Sequence, residues 1–223
     1  MRIHYHMSNQ PTGFTTMNQE NMNARPRPIL GSVKRELRPP VNVMIDIETL
    51  GQGPDACVAE IGACATVCGT RQQLELKVSL SSSVEAGGRI DAETVQWWLA
   101  RDDAARSRMA STGGRVPVKE ALLELSCWIQ AVRDASGGVC IWSCGTDFDI
   151  TILAGYYRRL RMELPWKFWE ARDYRTLRAV FLEVPKPSAS VAHTALRDAM
   201  DQLDHLVMIL AHVESLRKEA DNA

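Results

Sequence analysis

From residue 41 the chain alternates between short apolar runs and longer stretches with helical spacing. Val41-Asn42-Val43-Met44-Ile45-Asp46-Ile47 is almost continuously apolar over a strand's length, the pattern of a strand covered on both faces. Val58–Val67 and Leu74–Leu80 read as two further strands around the turn signal Gly69-Thr70. Connections this short make the three an antiparallel meander. Asp91 to Ala100 reads as a helix with Asp91 as its cap. Pro117 stands at the first turn of a longer helix, in which Ala121, Leu122, Leu125, Trp128, Ile129 and Val132 recur at helical spacing until Gly137-Gly138. Val139–Trp142 is a short buried strand, and helices follow over about Phe148–Leu160, Tyr174–Leu182 and Leu196–Leu216. Three strands followed by helix–strand–helix units predict an α/β fold, a mixed β-sheet flanked by α-helices.

Residues 1–40 lack this periodicity. They are rich in Met, Asn, Gln, Pro and Arg, end at Pro39-Pro40, and read as a flexible N-terminal tail. The domain is expected over residues 41–217, with 218–223 as a C-terminal tail. Charge divides at the same boundary. Residues 1–40 hold six Lys/Arg and two Glu, whereas the remainder holds 20 Lys/Arg and 25 Asp/Glu. So acidic a body is a poor clamp for long duplex DNA, which needs clustered cations. It can take a strand end where bound metal ions supply the positive charge. The six cysteines form no CxxC pair and several lie in apolar runs, so a zinc site is not expected and reduced thiols in a cytoplasmic protein are. No apolar run reaches the length of a membrane span.

Four acids and a histidine carry the candidate chemistry. Asp46 and Glu48, two apart on a strand, point to one face. Two acids closing an apolar strand are costly unless a charge compensates them, and a hard divalent cation does so through carboxylate oxygen. Two solvated carboxylates at a strand exit are the plain alternative. Asp149 follows the strand Val139–Trp142 and opens a helix, where it would suit the helix dipole; Asp147 is placed as that helix's N-cap. His193 precedes Asp198 by five residues. On one helix they would diverge by about 140°, so His193 is expected in the loop before the helix and Asp198 on its first turns. An imidazole in such a loop suits general-base work. Asp201 and Asp204 read as the solvated face of the last helix, and Arg197 as a partner for a phosphate or a nearby acid. Of Trp97-Trp98, one is expected in the core and the other free to touch nucleic acid or a partner.

The order of these motifs is specific. "MIDIETLG", "IWSCGTDFDITIL" and "HTALRDA", with "IDAETVQWWL" between the first two, resemble the DEDDh 3′–5′ exonucleases over about residues 41–215. The similarity is greatest to the bacterial and phage branch described as 3′–5′ exoribonucleases or exodeoxyribonuclease VIII-like proteins. The resemblance implies a ribonuclease H-like fold. It implies that Asp46, Glu48, Asp149 and Asp198 ligate two divalent cations, Mg²⁺ or Mn²⁺, and that His193 deprotonates the attacking water. Thr49, Leu50, Gly51 and Phe148 would contact the substrate, with Leu50 against the terminal base. The implied substrate is the 3′ end of single-stranded RNA or DNA, cut to nucleoside 5′-monophosphates, and a homodimer is compatible with it. Cys144-Gly145 stands where many members carry an Asn, which bears on a ribose contact and not on the metals. The rival reading is a non-catalytic nucleic-acid-binding module on the same fold.

Overall fold

The computed structural model describes residues 40–187 and 194–222. The apolar run at residue 41 forms β1 (Val41–Thr49), the central strand of the sheet. It pairs antiparallel with β2 (Val58–Val67), which pairs antiparallel with β3 (Thr70–Val78). On its other side β1 runs parallel to β5 (Val139–Ser143), and β5 to β6 (Ala171–Asp173). A two-residue strand, β4 (Arg115–Val116), joins β3, giving six strands in the order β4-β3-β2-β1-β5-β6. This is the expected mixed sheet with an antiparallel meander and parallel additions.

Alternation along β1 divides the core into two layers. Val43, Ile45 and Ile47 pack with Leu122, Leu125 and Ile129 of α4 (Val118–Ser136) and with Ile152, Leu153 and Tyr156 of α5 (Asp149–Arg159). On the opposite face, Met44, Cys64 and Trp142 pack with Tyr174 of α6 (Tyr174–Val180) and with Ala199, Leu203, Leu206 and Ile209 of α7 (Ala195–Asp221). A third cluster, including Leu50, Ala59, Trp98, Ala105 and Met109, holds α2 (Ala92–Leu99) and α3 (Asp103–Ala110) at the end of the β1–β2 pair.

Several elements depart from the sequence reading. β3 ends at Val78, and Ser79 caps a short helix, α1 (Leu80–Glu85). α3 carries only Ala105 and Met109 as buried side chains, too weak an apolar stripe to be read in advance. Asp147 is exposed and makes no cap; Phe148 is the N-cap residue of α5, without a side-chain capping bond. Asp201 is buried and pairs with Arg197 at 3.0 Å, because it lies three residues from Asp198 on the sheet-facing side of α7. α7 continues to Asp221, past the expected end at Leu216, with no Gly or Pro to stop it and a Glu214–Lys218 pair on its last turns. The cysteines are free thiols as expected, but Cys68 and Cys127 are exposed rather than buried. Trp98 is in the core and Trp97 is 44% exposed, which resolves that pair.

One glycine sets how closely α7 approaches the sheet. A Cβ on Gly62 of β2 would lie 2.1 Å from the carbonyl carbon of Ala195 and 2.1 Å from the amide nitrogen of Leu196. Only a residue without a side chain lets the first turn of α7 lie on the strand. Farther along the helix, His205 is buried between Tyr174 Oη (2.7 Å from Nδ1) and the Val184 carbonyl (2.9 Å from Nε2). A carbonyl only accepts, so Nε2 donates to it and Tyr174 donates to Nδ1. This clamp fixes α6 and the chain at Val184 to α7.

Gly62→Ala should therefore cost at least about 1–3 kcal/mol, the usual penalty of overpacking, since backbone and not a flexible side chain must move. Gly113→Ala, where the new methyl would meet only Ser111 Oγ at 3.9 Å, should be close to neutral. Urea unfolding of the two variants checks this. Equal midpoints would mean that α7 does not depend on the contact.

Candidate active site

The site lies where β1 outruns its parallel neighbour. Pairing of β1 with β5 ends at Met44–Trp142, leaving the later part of β1 without a strand on that side. The Ile47 amide there donates instead to Asp149 Oδ1 at 3.1 Å. Asp149 is the first residue of α5 and is buried. An orphaned strand donor and a helix N-terminus thus hold one carboxylate beside the end of β1.

On the other side of β1 the register slips. Glu48 pairs with Glu60 and Thr49 with Val58, so Ala59 is an extra residue in β2. Such a bulge twists the strand and redirects its side chains. Asp46 and Glu48 face α7, and Gly62 lies directly across from Asp46. The close seat of α7 on Gly62 brings Asp198, on its first turn, to the same place. Asp46, Glu48 and Asp198 each offer a carboxylate oxygen, and these three oxygens lie within 4.8 Å of one another. Thr194 caps this helix by accepting from the Arg197 amide at 3.2 Å.

Burial and like charge act together on these carboxyls. Burial first, and then the charges of Asp149 and Glu48, push the Asp46 carboxyl well above the usual range. A hydrogen bond from Gln202 Nε2 to Asp46 Oδ1 at 2.8 Å acts the other way. Burial followed by Asp198 and Glu60 raises Glu48 to about 8. Burial raises Asp149 to about 7 despite the Ile47 amide, its own backbone amide and the nearby Arg175 guanidinium. Among the described residues, no salt bridge reaches Asp46, Glu48 or Asp149. Gln202 Oε1 is buried with no hydrogen-bond partner among them. A pocket of hard oxygen donors with excess negative charge fits a divalent cation and nothing softer.

Glu60 is treated differently from its neighbour. It is buried, yet Arg108 Nε reaches its two oxygens at 2.8 and 3.0 Å and the same guanidinium binds Glu75. Glu60 is thereby committed to Arg108, while Glu48 stays open to the cleft.

That cleft is lined by Ile47, Glu48, Thr49, Gly51, Trp97 and Phe148 among others. Its floor is pinned to α2: Trp98 Nε1 donates to the Thr49 carbonyl at 2.9 Å, and the Gln52 amide donates to Asp91 Oδ2 at 2.9 Å. The Arg101 guanidinium lies over the Trp97 ring, 4.2 Å from its centre. The Thr49 hydroxyl is turned to the Gly51 carbonyl, and Leu50 is buried in the cluster with Trp98. Of the residues singled out in the sequence, Asp46, Glu48 and Asp198 converge, Asp149 adjoins them, and Thr49, Gly51 and Phe148 line the cleft. His193 lies outside the described residues. The sequence reading missed Gln202, Gly62 and the Glu60–Arg108 pair. Gln202 was within reach of it, being four residues after Asp198 and so on the same helical face.

A family model described as the 3′–5′ exoribonuclease Rv2179c-like domain matches residues 41–210. No curated protein matches the chain. Among solved structures, the chain is similar to the nuclease domain of 3′hExo, described as a DEDDh family member bound to rAMP. That similarity has 11% sequence identity and a TM-score of 0.49, covering 77% of this chain and 92% of the other. Among the described residues, no helix is long and apolar enough to cross a membrane. The matched span starts with β1 and takes in all four acids and most of α7; the chain belongs to the 3′–5′ exoribonuclease Rv2179c-like domain family and is a 3′–5′ exonuclease.

Proposed function

We propose that the protein removes nucleotides one at a time from the 3′ end of single-stranded nucleic acid, RNA in the first instance, releasing nucleoside 5′-monophosphates. The convergence of Asp46, Glu48 and Asp198 on one point beside an aromatic-edged cleft carries this reading. With Asp149 they would hold two divalent cations, Mg²⁺ or Mn²⁺. Bound there, such ions supply Lewis-acid activation of water and of the scissile phosphate. The chain's own groups do the rest. Gln202 fixes the rotamer of Asp46, and the Ile47 amide fixes that of Asp149. Trp97 and Phe148 offer faces to the terminal base, within a cleft whose floor Trp98 and Asp91 keep rigid. His193 immediately precedes the cap of the helix that bears Asp198 and takes the proton of the attacking water. The family model's description as an exoribonuclease favours RNA over DNA.

A 5′-labelled single strand should give a ladder of 3′-shortened products with Mg²⁺ or Mn²⁺ and none with EDTA, and RNA should be cut faster than DNA of the same sequence. Asp46→Asn should abolish the ladder in a folded protein. Cutting that survives this change would sink the metal assignment. His193→Ala should lower kcat by about 10²–10⁴ with a much smaller effect on KM.

The raised carboxyls also make a stability prediction. Glu48 titrates near 8 in the fold but near its ordinary value when unfolded, so the metal-free fold loses stability as pH rises from about 4.5 to 8. Gln at this position does not titrate. In EDTA, Glu48→Gln should melt above wild type at pH 8, by about 2–4 °C per kcal/mol, and the gap should close toward pH 5. Adding Mg²⁺ at pH 8 should raise the melting temperature of the wild type and not of the variant. A gap independent of pH would show that burial and the neighbouring acids do not raise the Glu48 carboxyl.

A further inference from the structure

A basic and aromatic surface lies away from the catalytic cleft, along the β6 edge of the sheet. Phe168 is 85% exposed and Trp169 is 60% exposed, their rings edge to face with centres 4.8 Å apart. They stand on a single 3₁₀ turn just before β6 and outside every core cluster. Folding gives no reason for two adjacent large aromatics in water, since neither is buried.

Charge on this edge is equally uneven. Residues 41–223 carry 20 Lys/Arg and 25 Asp/Glu, but the stretch from Lys167 to Arg178 carries four cations and two acids. Both acids are committed locally. Glu170 is bound by Arg133 and by the Lys167 amide, and Asp173 caps α6 through the Thr176 amide. Lys167, Arg172 and Arg175 are left exposed on the edge.

The edge leads to the catalytic cluster. Asp173 pairs with Ser143 at the carboxyl end of β5, and Arg175 donates to the Cys144 carbonyl at 2.7 Å. Arg175 is close enough to offset the charge of Asp149. Between Arg175 and Ala171 lie two residues of β6 and Tyr174, the first of α6, and the aromatic pair stands just before Glu170. Exposed cations beside stackable rings are what a single strand needs and what an acidic partner protein would not use in full.

Resting on the exonuclease reading, we propose that this edge is the path of the substrate upstream of its 3′ end. Arg175 and Arg172 track the phosphates leaving the catalytic site, and Phe168 and Trp169 stack the bases that follow. The surface selects single strands long enough to reach the aromatic pair. It also gives an acidic domain its grip on an anionic polymer.

The test compares wild type with the Phe168→Ala/Trp169→Ala double variant and with Arg172→Glu. Affinity for a labelled single-stranded RNA twelve-mer is measured in EDTA, where nothing is cut. Hydrolysis of the twelve-mer and of a dinucleotide with the same 3′ residue is measured with Mg²⁺. Loss of two stacking faces should weaken twelve-mer binding at least about fivefold, with a matching fall in kcat/KM. The dinucleotide rate should move less than twofold. Arg172→Glu should weaken twelve-mer binding and flatten its dependence on salt, as loss of a phosphate contact does. Unchanged twelve-mer affinity overturns the proposal, as does an equal loss on both substrates. A change in self-association with affinity untouched would assign the edge to a second copy and also overturn it. Should the wild type cut neither substrate, the exonuclease reading fails, while the affinities in EDTA still decide the path.

Discussion

Repulsion among carboxylates brought together at the end of one strand is the constraint around which the domain is built. Asp46, Glu48, Asp149 and Asp198 come from three separate elements; burial raises the first three, and neighbouring acids raise Asp46 and Glu48 further. Left alone, such a cluster would push β1, α5 and α7 apart. The apolar layers on both faces of the sheet hold them in place, and the three elements meet at the carboxyl ends of β1 and β5. The scaffold's burial of apolar surface thus opposes the strain of the site. The arrangement makes the pocket a reservoir of negative potential that a cation relieves.

The backbone contributes as much as the side chains. Early termination of the β1–β5 ladder frees the amide that orients Asp149. The extra residue at Ala59 accompanies the change of direction at Glu48, and the missing side chain at Gly62 admits the helix that carries Asp198. Each is an irregularity by the standards of an ideal sheet. Together they allow four acids to meet without a break in the core. Glu60 shows what happens to an acid in the same neighbourhood that is not meant to bind: it receives its own arginine.

The central strand, the meander and the long helices were legible because each has a strong period and buries an unmistakable face. Asp46 and Glu48 could be paired from their spacing alone, since residues two apart on a strand share a face. Asp149 and Asp198 needed the resemblance, because nothing local distinguishes them from acids that favour a helix N-terminus. α3 and β6 were invisible for want of apolar positions, and the buried Asp201 was misread because its partner Arg197 sits on the same helix. Gly62 is the most instructive omission. A lone glycine in a buried strand signals close approach, but its partners Ala195 and Leu196 lie more than 130 residues away, and only tertiary structure names them.

The seat of α7 on Gly62 has a mechanical corollary. The helix has 27 residues, and its contact with the sheet at Ala195 lies within one turn of Asp198. Beyond it Ala199, Leu203, Leu206 and Ile209 and the His205 clamp keep the helix on the sheet as far as Val213. Only the turns from Glu214 to Asp221 stand exposed, reaching about 12 Å past that packing. Loads on those last turns are taken up by the packed middle of the helix before they are felt by the acids at its start.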